Sequence, residues 1–303
     1  MIDRRVLLAG GDAALGLGLW RARGIAVEAM GHGSLPDFGL MGALTQGGWA
    51  RGLAPPGTTA LSLSGKPVTV ARDGRFFIAF DRDSAPTLQL AARLSDGRTL
   101  ARTPVIAPRA WQIEHIPPGP RPDAPPNEDY ARRHRAEVAR INAARSVDHL
   151  IEGWRQQFIW PVYGRLSGRF GSQRIYNGTP GSYHSGLDIA TGASGTPFVA
   201  PADGVVTLAA AAPLSLEGRL LMLDHGMGLN SAFLHCSSHA VEEGALVCQG
   251  QYIARIGKTG RATGPHLHWS IKWRDNRLDS LLLVRTDVSA LSSAAPQCRH
   301  IRV

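Results

Sequence analysis

Two short histidine-bearing segments about eighty residues apart constrain this chain more than any other feature: Tyr183-His184-Ser185-Gly186-Leu187-Asp188, and Gly264-Pro265-His266-Leu267-His268-Trp269-Ser270-Ile271. In a regular strand His184 and Asp188 would share a face but stand about 13 Å apart, at roughly 3.3 Å per residue. That is too far for two bonds of about 2 Å to one metal ion, so the segment must bend. Gly186, between them, takes the required backbone angles at little cost. In His266-Leu267-His268 the logic reverses, because alternate residues of a strand point to one face, roughly 6.6 Å apart. One of these histidines can bind metal while the other stands beside it, free to handle protons. Two histidines and a carboxylate leave a fourth position for water, the pattern of catalytic rather than structural zinc; a closed structural site would recruit cysteines.

The 303 residues suffice for two compact domains. The net charge of +9 comes almost wholly from arginine and points to an anionic partner such as cell-wall polymer, nucleic acid or lipid headgroups, although no nucleic-acid motif is present. Cys236, Cys248 and Cys298 allow at most one internal disulfide. Residues 1–29 read as an export signal of twin-arginine type, with Arg4-Arg5 before a small-residue apolar run and Val27-Glu28-Ala29 as the cleavage candidate. No other run is long enough to span a bilayer, so no transmembrane segment is expected in the mature chain.

Residues 30–116 alternate in short segments, at 59–63, 68–70, 76–80 and 88–92, with Asp73-Gly74 and Asp96-Gly97 as turns. This predicts a small β-sandwich, and its turns resemble those of Ig-like accessory domains of exported proteins. Residues 117–150 hold a proline-rich connector and then a helix over 129–145, with Asn127 as N-cap and Tyr130, His134, Val138 and Ile141 at helical spacing. From Trp160 the pattern is again β, at 165–170, 205–209, 220–223, 231–234, 252–256 and 268–271.

The two histidine segments do not stand alone. Between Trp160 and Asp279 lie Pro197-Phe198-Val199-Ala200-Pro201-Ala202-Asp203-Gly204, Leu223-Asp224-His225-Gly226, Ala232-Phe233-Leu234-His235 and Thr259-Gly260-Arg261-Ala262-Thr263-Gly264 leading into Pro265-His266-Leu267-His268. In this order the motifs resemble the M23 family of lysostaphin-like, LytM-type zinc metallopeptidases that cut peptidoglycan. The resemblance implies a mainly β fold, with an antiparallel-sheet peptidase domain at 151–303 (core about 160–279). It implies zinc held by His184, Asp188 and His268, with His235 and His266 as the unligated catalytic pair. Arg174, Tyr176 and Tyr183, close before the first ligand, are the candidate substrate contacts. The implied activity is that of a metalloendopeptidase hydrolysing peptidoglycan cross-links, with D-Ala to diamino-acid bonds expected, in the periplasm or otherwise in the cell envelope. The alternative is a non-catalytic LytM-type wall-binding protein or amidase activator, working with a cell-wall regulatory partner. In some relatives a preceding segment covers the active-site groove, a place the connector or helix could take here.

Overall fold

The glycine-punctuated segments of the C-terminal half pair into one eight-stranded sheet. Its order is Leu246–Val247, Gly204–Ala209, Arg219–Asp224, Leu229–Cys236, Leu267–Trp273, Leu187–Ala190, Arg165–Gly168, with Asn276–Leu278 paired to Leu267–Trp273. Every pairing in it is antiparallel. The computed structural model of the chain describes residues 38–117 and 128–284. The expected export signal, the connector beyond Pro117, the Asn127 cap, Cys298 and the tail after Val284 lie outside the described residues.

Because strand side chains alternate between faces, register decides which residues become core. Leu221 lies opposite Phe233, Phe233 opposite Trp269, and Trp269 opposite Leu187. This row is fully buried, and the rings of Phe233 and Trp269 stack with centroids 6.5 Å apart. Truncating either aromatic would cost about 3–5 kcal/mol. One residue further along each of the last three strands, Leu234, His268, Asp188 and Gly168 form the neighbouring row, on the opposite face. The polar row is thus held in place by the apolar one directly behind it.

Glu128–Ser146 forms the expected helix. Its apolar stripe differs from expectation: Ile141 and Ala144 are buried, whereas Val138 is exposed. The helix lies on the face that carries Leu234 and His268, packing against Leu208, Leu220, Met222 and Ala232. The Glu137 carboxylate accepts from the backbone and hydroxyl of Ser215 (3.0 and 2.9 Å), and Arg140 pairs with Glu243 at 2.9 Å.

The N-terminal β segments form a three-stranded sheet, Met41–Ala43, Trp49–Leu53, Arg75–Ala79, and a four-stranded one, Lys66–Val68, Thr58–Leu63, Leu90–Leu94, Thr99–Arg102. Their buried residues belong to the same cluster as the large sheet's core. The continuous run Phe76-Phe77-Ile78-Ala79-Phe80 explains why, since all five residues are buried, as in strands covered on both faces. Phe76 meets Phe38 on one side; Phe77 stacks on Trp49 and reaches Trp273 of the large sheet on the other, with centroids 6.3 Å apart. Arg109 ties the two regions further by donating to the buried Asp279 at 2.8 Å. Ile113–Ile116, expected inside the N-terminal domain, instead pairs in parallel with Gln173–Tyr176. It is an added edge to the hairpin that precedes His184.

His225 lies outside the cluster of His184, Asp188 and His268. It is fully buried at the end of Arg219–Asp224, edge-on to Phe158. Its Nδ1 lies 2.8 Å from the Asp203 carbonyl, which can only accept, so Nδ1 carries the proton and Nε2 accepts from the Ser231 hydroxyl at 2.8 Å. Burial pushes this histidine down to about 4, so the folded state holds it neutral. The unfolded chain takes up the proton first as pH falls, and the stability it contributes is full above about pH 6.5 and lost between there and pH 4. Urea unfolding should therefore lose about 1 kcal/mol between pH 7.5 and 5.5 in wild type, a component absent from His225→Gln; equal pH slopes for the two proteins would contradict the assignment.

Candidate metal centre and groove

The polar row of the sheet becomes a site because of what stands opposite what. Asp188 pairs directly with His268 on one side and Gly168 on the other. Directly opposite side chains have Cβ atoms about 5 Å apart, close enough for an imidazole to reach a carboxylate. His268 Nδ1 lies 2.8 Å from Asp188 Oδ1. His184 comes from the bend before this strand and places Nε2 3.1 Å from Asp188 Oδ2. Its orientation is set by Nδ1, which donates to the Arg169 carbonyl at 3.1 Å. One ligand-type atom from each of the three residues falls within 4.8 Å of the others.

Two glycines make room for this convergence. A Cβ on Gly168 would collide with the Asp188 carboxylate, and one on Gly186 would come within 2.7 Å of both His268 Nε2 and the Trp269 carbonyl. Gly186 therefore serves close packing beneath the ring as well as the bend. Two imidazole nitrogens and one carboxylate oxygen, converging in a space kept open by absent side chains, fit a divalent cation of the zinc type.

Electrostatics are organised around the one carboxylate. Burial works against ionisation of Asp188, but hydrogen bonds from His184 and His268 outweigh it and hold the carboxyl well below the usual range. Burial would depress His184 too, yet its bond to Asp188 prevails and raises it. For the more deeply buried His268 desolvation wins over Asp188, and its value is lowered.

His235 and His266 complete the cluster. Their ring centroids are 4.9 Å apart, and His266 Nε2 lies 3.7 Å from Asp188 Oδ1. His235 sits in the left-handed region at φ 66°, an uncommon conformation for a residue with a Cβ. The cause is a bulge, where the register to Arg219–Asp224 jumps between Phe233 and Cys236 and turns the ring toward the site. His235 Nδ1 donates to the Thr259 carbonyl and His266 Nδ1 to the Gly264 carbonyl, each at 2.8 Å. In their neutral forms both rings therefore keep an unprotonated Nε2. Burial pushes His235 down to about 4, with His266 and His268 adding to the effect against the bond to Thr259, so it is neutral at pH 7.

A groove of about 1200 Å³ opens beside His184 and Asp188, lined by Arg169, Arg174, Tyr176, Tyr183 and Arg261 among others. Arg174 pairs with Glu114, and Tyr176 lies further along the same strand. The Tyr183 hydroxyl is committed elsewhere, donating to Asp81 at 3.1 Å. The helix Glu128–Ser146 contributes nothing to this lining. Sequence reasoning missed the support that the N-terminal region supplies. The guanidinium of Arg82, 7% exposed, lies over the rings of Trp111 and Tyr183 and donates to the Gly171 carbonyl (3.0 Å) and the Gln173 side chain (3.0 Å). Gly171 in turn donates its N–H to the His184 carbonyl at 2.9 Å. No local signal marks Arg82, because its acceptors Gly171 and Gln173 lie about ninety residues away.

Residues 182–280 match the model of peptidase family M23. An uncharacterized metalloprotease of Haemophilus influenzae is 42% identical over 86 residues, 28% of this chain and 18% of that protein. The peptidoglycan DD-endopeptidase ShyB of Vibrio cholerae is 36% identical over 110 residues, 36% of this chain and 25% of its own. The chain thus spans a quarter or less of the length of these two relatives. A solved structure from Pseudomonas aeruginosa assigned to peptidase M23 superposes with a TM-score of 0.61 at 27% identity, over 79% of this chain and 94% of that one.

Gly186→Ala should displace the His268 ring and weaken zinc binding about tenfold or more, the usual scale for disturbing a ligand's support. Competition against a chromogenic chelator measures this; wild-type affinity in the variant would show that the tight fit beneath His268 does not matter.

Proposed function

We propose that the chain is a zinc-dependent endopeptidase of the cell envelope that hydrolyses peptide cross-links of peptidoglycan, at D-Ala to diamino-acid bonds. One observation carries the reading: three ligand-type side chains converge while two further histidines stand beside them with their Nδ1 protons tied to carbonyls. A structural metal site would have no use for the second pair. The name of the Vibrio cholerae relative, a peptidoglycan DD-endopeptidase, supports the substrate and the bond. The basic charge of the chain suits an anionic polymer. Among the described residues no helix is long and apolar enough to cross a membrane.

His184, Asp188 and His268 would hold the zinc, which when bound supplies Lewis acidity toward the scissile carbonyl and an acidified water. The chain's own part is to place and move protons. With Nδ1 bound to a backbone carbonyl, His235 and His266 each present Nε2 to the reacting groups, where one accepts the proton released by attack and the other, protonated, donates to the developing oxyanion. With zinc bound, the ring nitrogens of His184 and His268 that face Asp188 would carry no proton, and Asp188 would serve as an ionised oxygen ligand. The groove beside His184 would take the peptide.

Elemental analysis and digestion of purified cross-linked peptidoglycan, with fragments read by mass spectrometry, test the reading. Wild type should hold about one zinc and convert cross-linked dimers to monomers. Asp188→Ala should lose zinc, whereas His266→Ala should retain it and fall about 10²- to 10⁴-fold in rate, the usual contribution of a proton-transfer group. A wild-type protein that binds zinc and releases no monomers would sink the proposal.

A further inference from the structure

The groove beside His184 has walls of two origins. One is the strand and hairpin segment between Leu166 and Ser182; the other includes Gln112 and Glu114, from the chain leaving the N-terminal sheets. Parallel pairing sets Glu114 level with Arg174, and the Arg174 Nε–H donates to Glu114 Oε2 at 2.8 Å. The two side chains are 57% and 62% exposed, and an ion pair this open to water contributes little to folding. Its setting is more informative than its strength. Apart from Asp188, Glu114 is the one acidic side chain lining the groove among the described residues, against Arg169, Arg174 and Arg261. Such a surface complements a peptide that carries several carboxylates and one ammonium group.

Resting on the endopeptidase reading above, we infer that Glu114 and Arg174 form a subsite for a side chain ending in an amino-acid zwitterion, with the ammonium on Glu114 and the carboxylate on Arg174. In a D-Ala to diamino-acid cross-link, a diamino acid with two carboxyl groups that precedes the scissile D-Ala presents such a terminus when it is not itself cross-linked. Docking replaces one hydrogen bond between exposed groups by two charge-assisted contacts. Arg174 gains from its fork geometry, since a carboxylate can be met by two parallel N–H groups of the guanidinium. The N-terminal region thereby supplies part of the specificity, because Glu114 belongs to the strand that leads away from it.

The test uses the full chain loaded with zinc and two synthetic cross-linked dimers that differ only at the donor diamino acid, one with a free zwitterion and one with that carboxylate amidated. Wild type should prefer the zwitterionic dimer about tenfold in kcat/KM, chiefly through KM, a difference one well-placed charge contact can supply. Arg174→Gln should shrink that preference to about threefold or less, whereas Glu114→Gln, whose ammonium contact both dimers keep, should raise KM for both dimers severalfold. Arg132→Gln, which removes an exposed helix charge paired only with Asp129, should leave it unchanged. Equal cleavage of the two dimers by wild type overturns the subsite and leaves the endopeptidase reading standing, as does an Arg174→Gln variant that keeps the full preference or a Glu114→Gln variant with unchanged KM for both. Failure of wild type to cut either dimer removes the reading itself, and the subsite with it.

Discussion

A partly buried carboxylate shared by two imidazoles is the interaction around which this molecule is arranged. Asp188 could not stay ionised at its depth without His184 and His268 on its two oxygens, since burying an unpaired charge is costly. The requirement propagates outward. His268 reaches the carboxylate because the two residues are cross-strand partners. Gly168 on the other side must lack a side chain, and Gly186 must lie flat beneath the His268 ring. Behind the row, Trp269, Phe233 and Leu187 fill the core one residue out of phase. A slip of one residue in register would send the ligands into the core and the aromatic rings into the groove.

The first histidine lacks such a partner, and its loop is held from outside the sheet. Tyr183 donates to Asp81, and Arg82 bonds Gly171, whose N–H meets the His184 carbonyl. Both anchors come from the N-terminal region, which packs on the large sheet through Phe77, Trp49 and Trp273. Arg82 is costly to bury, and it is stabilised here by stacking with two aromatic rings and by acceptors placed to meet its guanidinium. The N-terminal region thus shares in building the site, and the strand that follows its sheets brings Glu114 to the groove wall.

The bulge at His235 shows where local geometry departs from the regular sheet in the service of chemistry. A residue with a Cβ is held at positive φ, and the cost is carried by the strands packed on both sides of Leu229–Cys236. The result is a ring fixed by Thr259 with its free nitrogen turned toward the cluster. His225, by contrast, has both nitrogens satisfied inside the core. Histidines that look alike in the sequence are separated by whether one nitrogen is left over.

Much of this was legible from residue order alone. The bend at Gly186 followed from the distance a straight strand would impose between His184 and Asp188, and the pattern at 268–271 marked the strand that runs over Leu267–Trp273. The helix was visible in its spacing, although the burial of Ala144 in place of Val138 was not, since that depends on where the sheet lies beneath it. The run from Phe76 to Phe80 was readable as a strand but not as an interface, because apolar residues do not say which partner covers them. Arg82, Trp111, Glu114 and Gly168 carried no local signal at all. Their roles arise from register and packing between segments up to about ninety residues apart, and a period along the chain reports which way a side chain points without reporting what it meets. The sequence by itself determined which atoms could bind a metal and move protons; the tertiary structure decided which neighbours hold them in place, because only pairing across strands brings those neighbours within hydrogen-bonding distance.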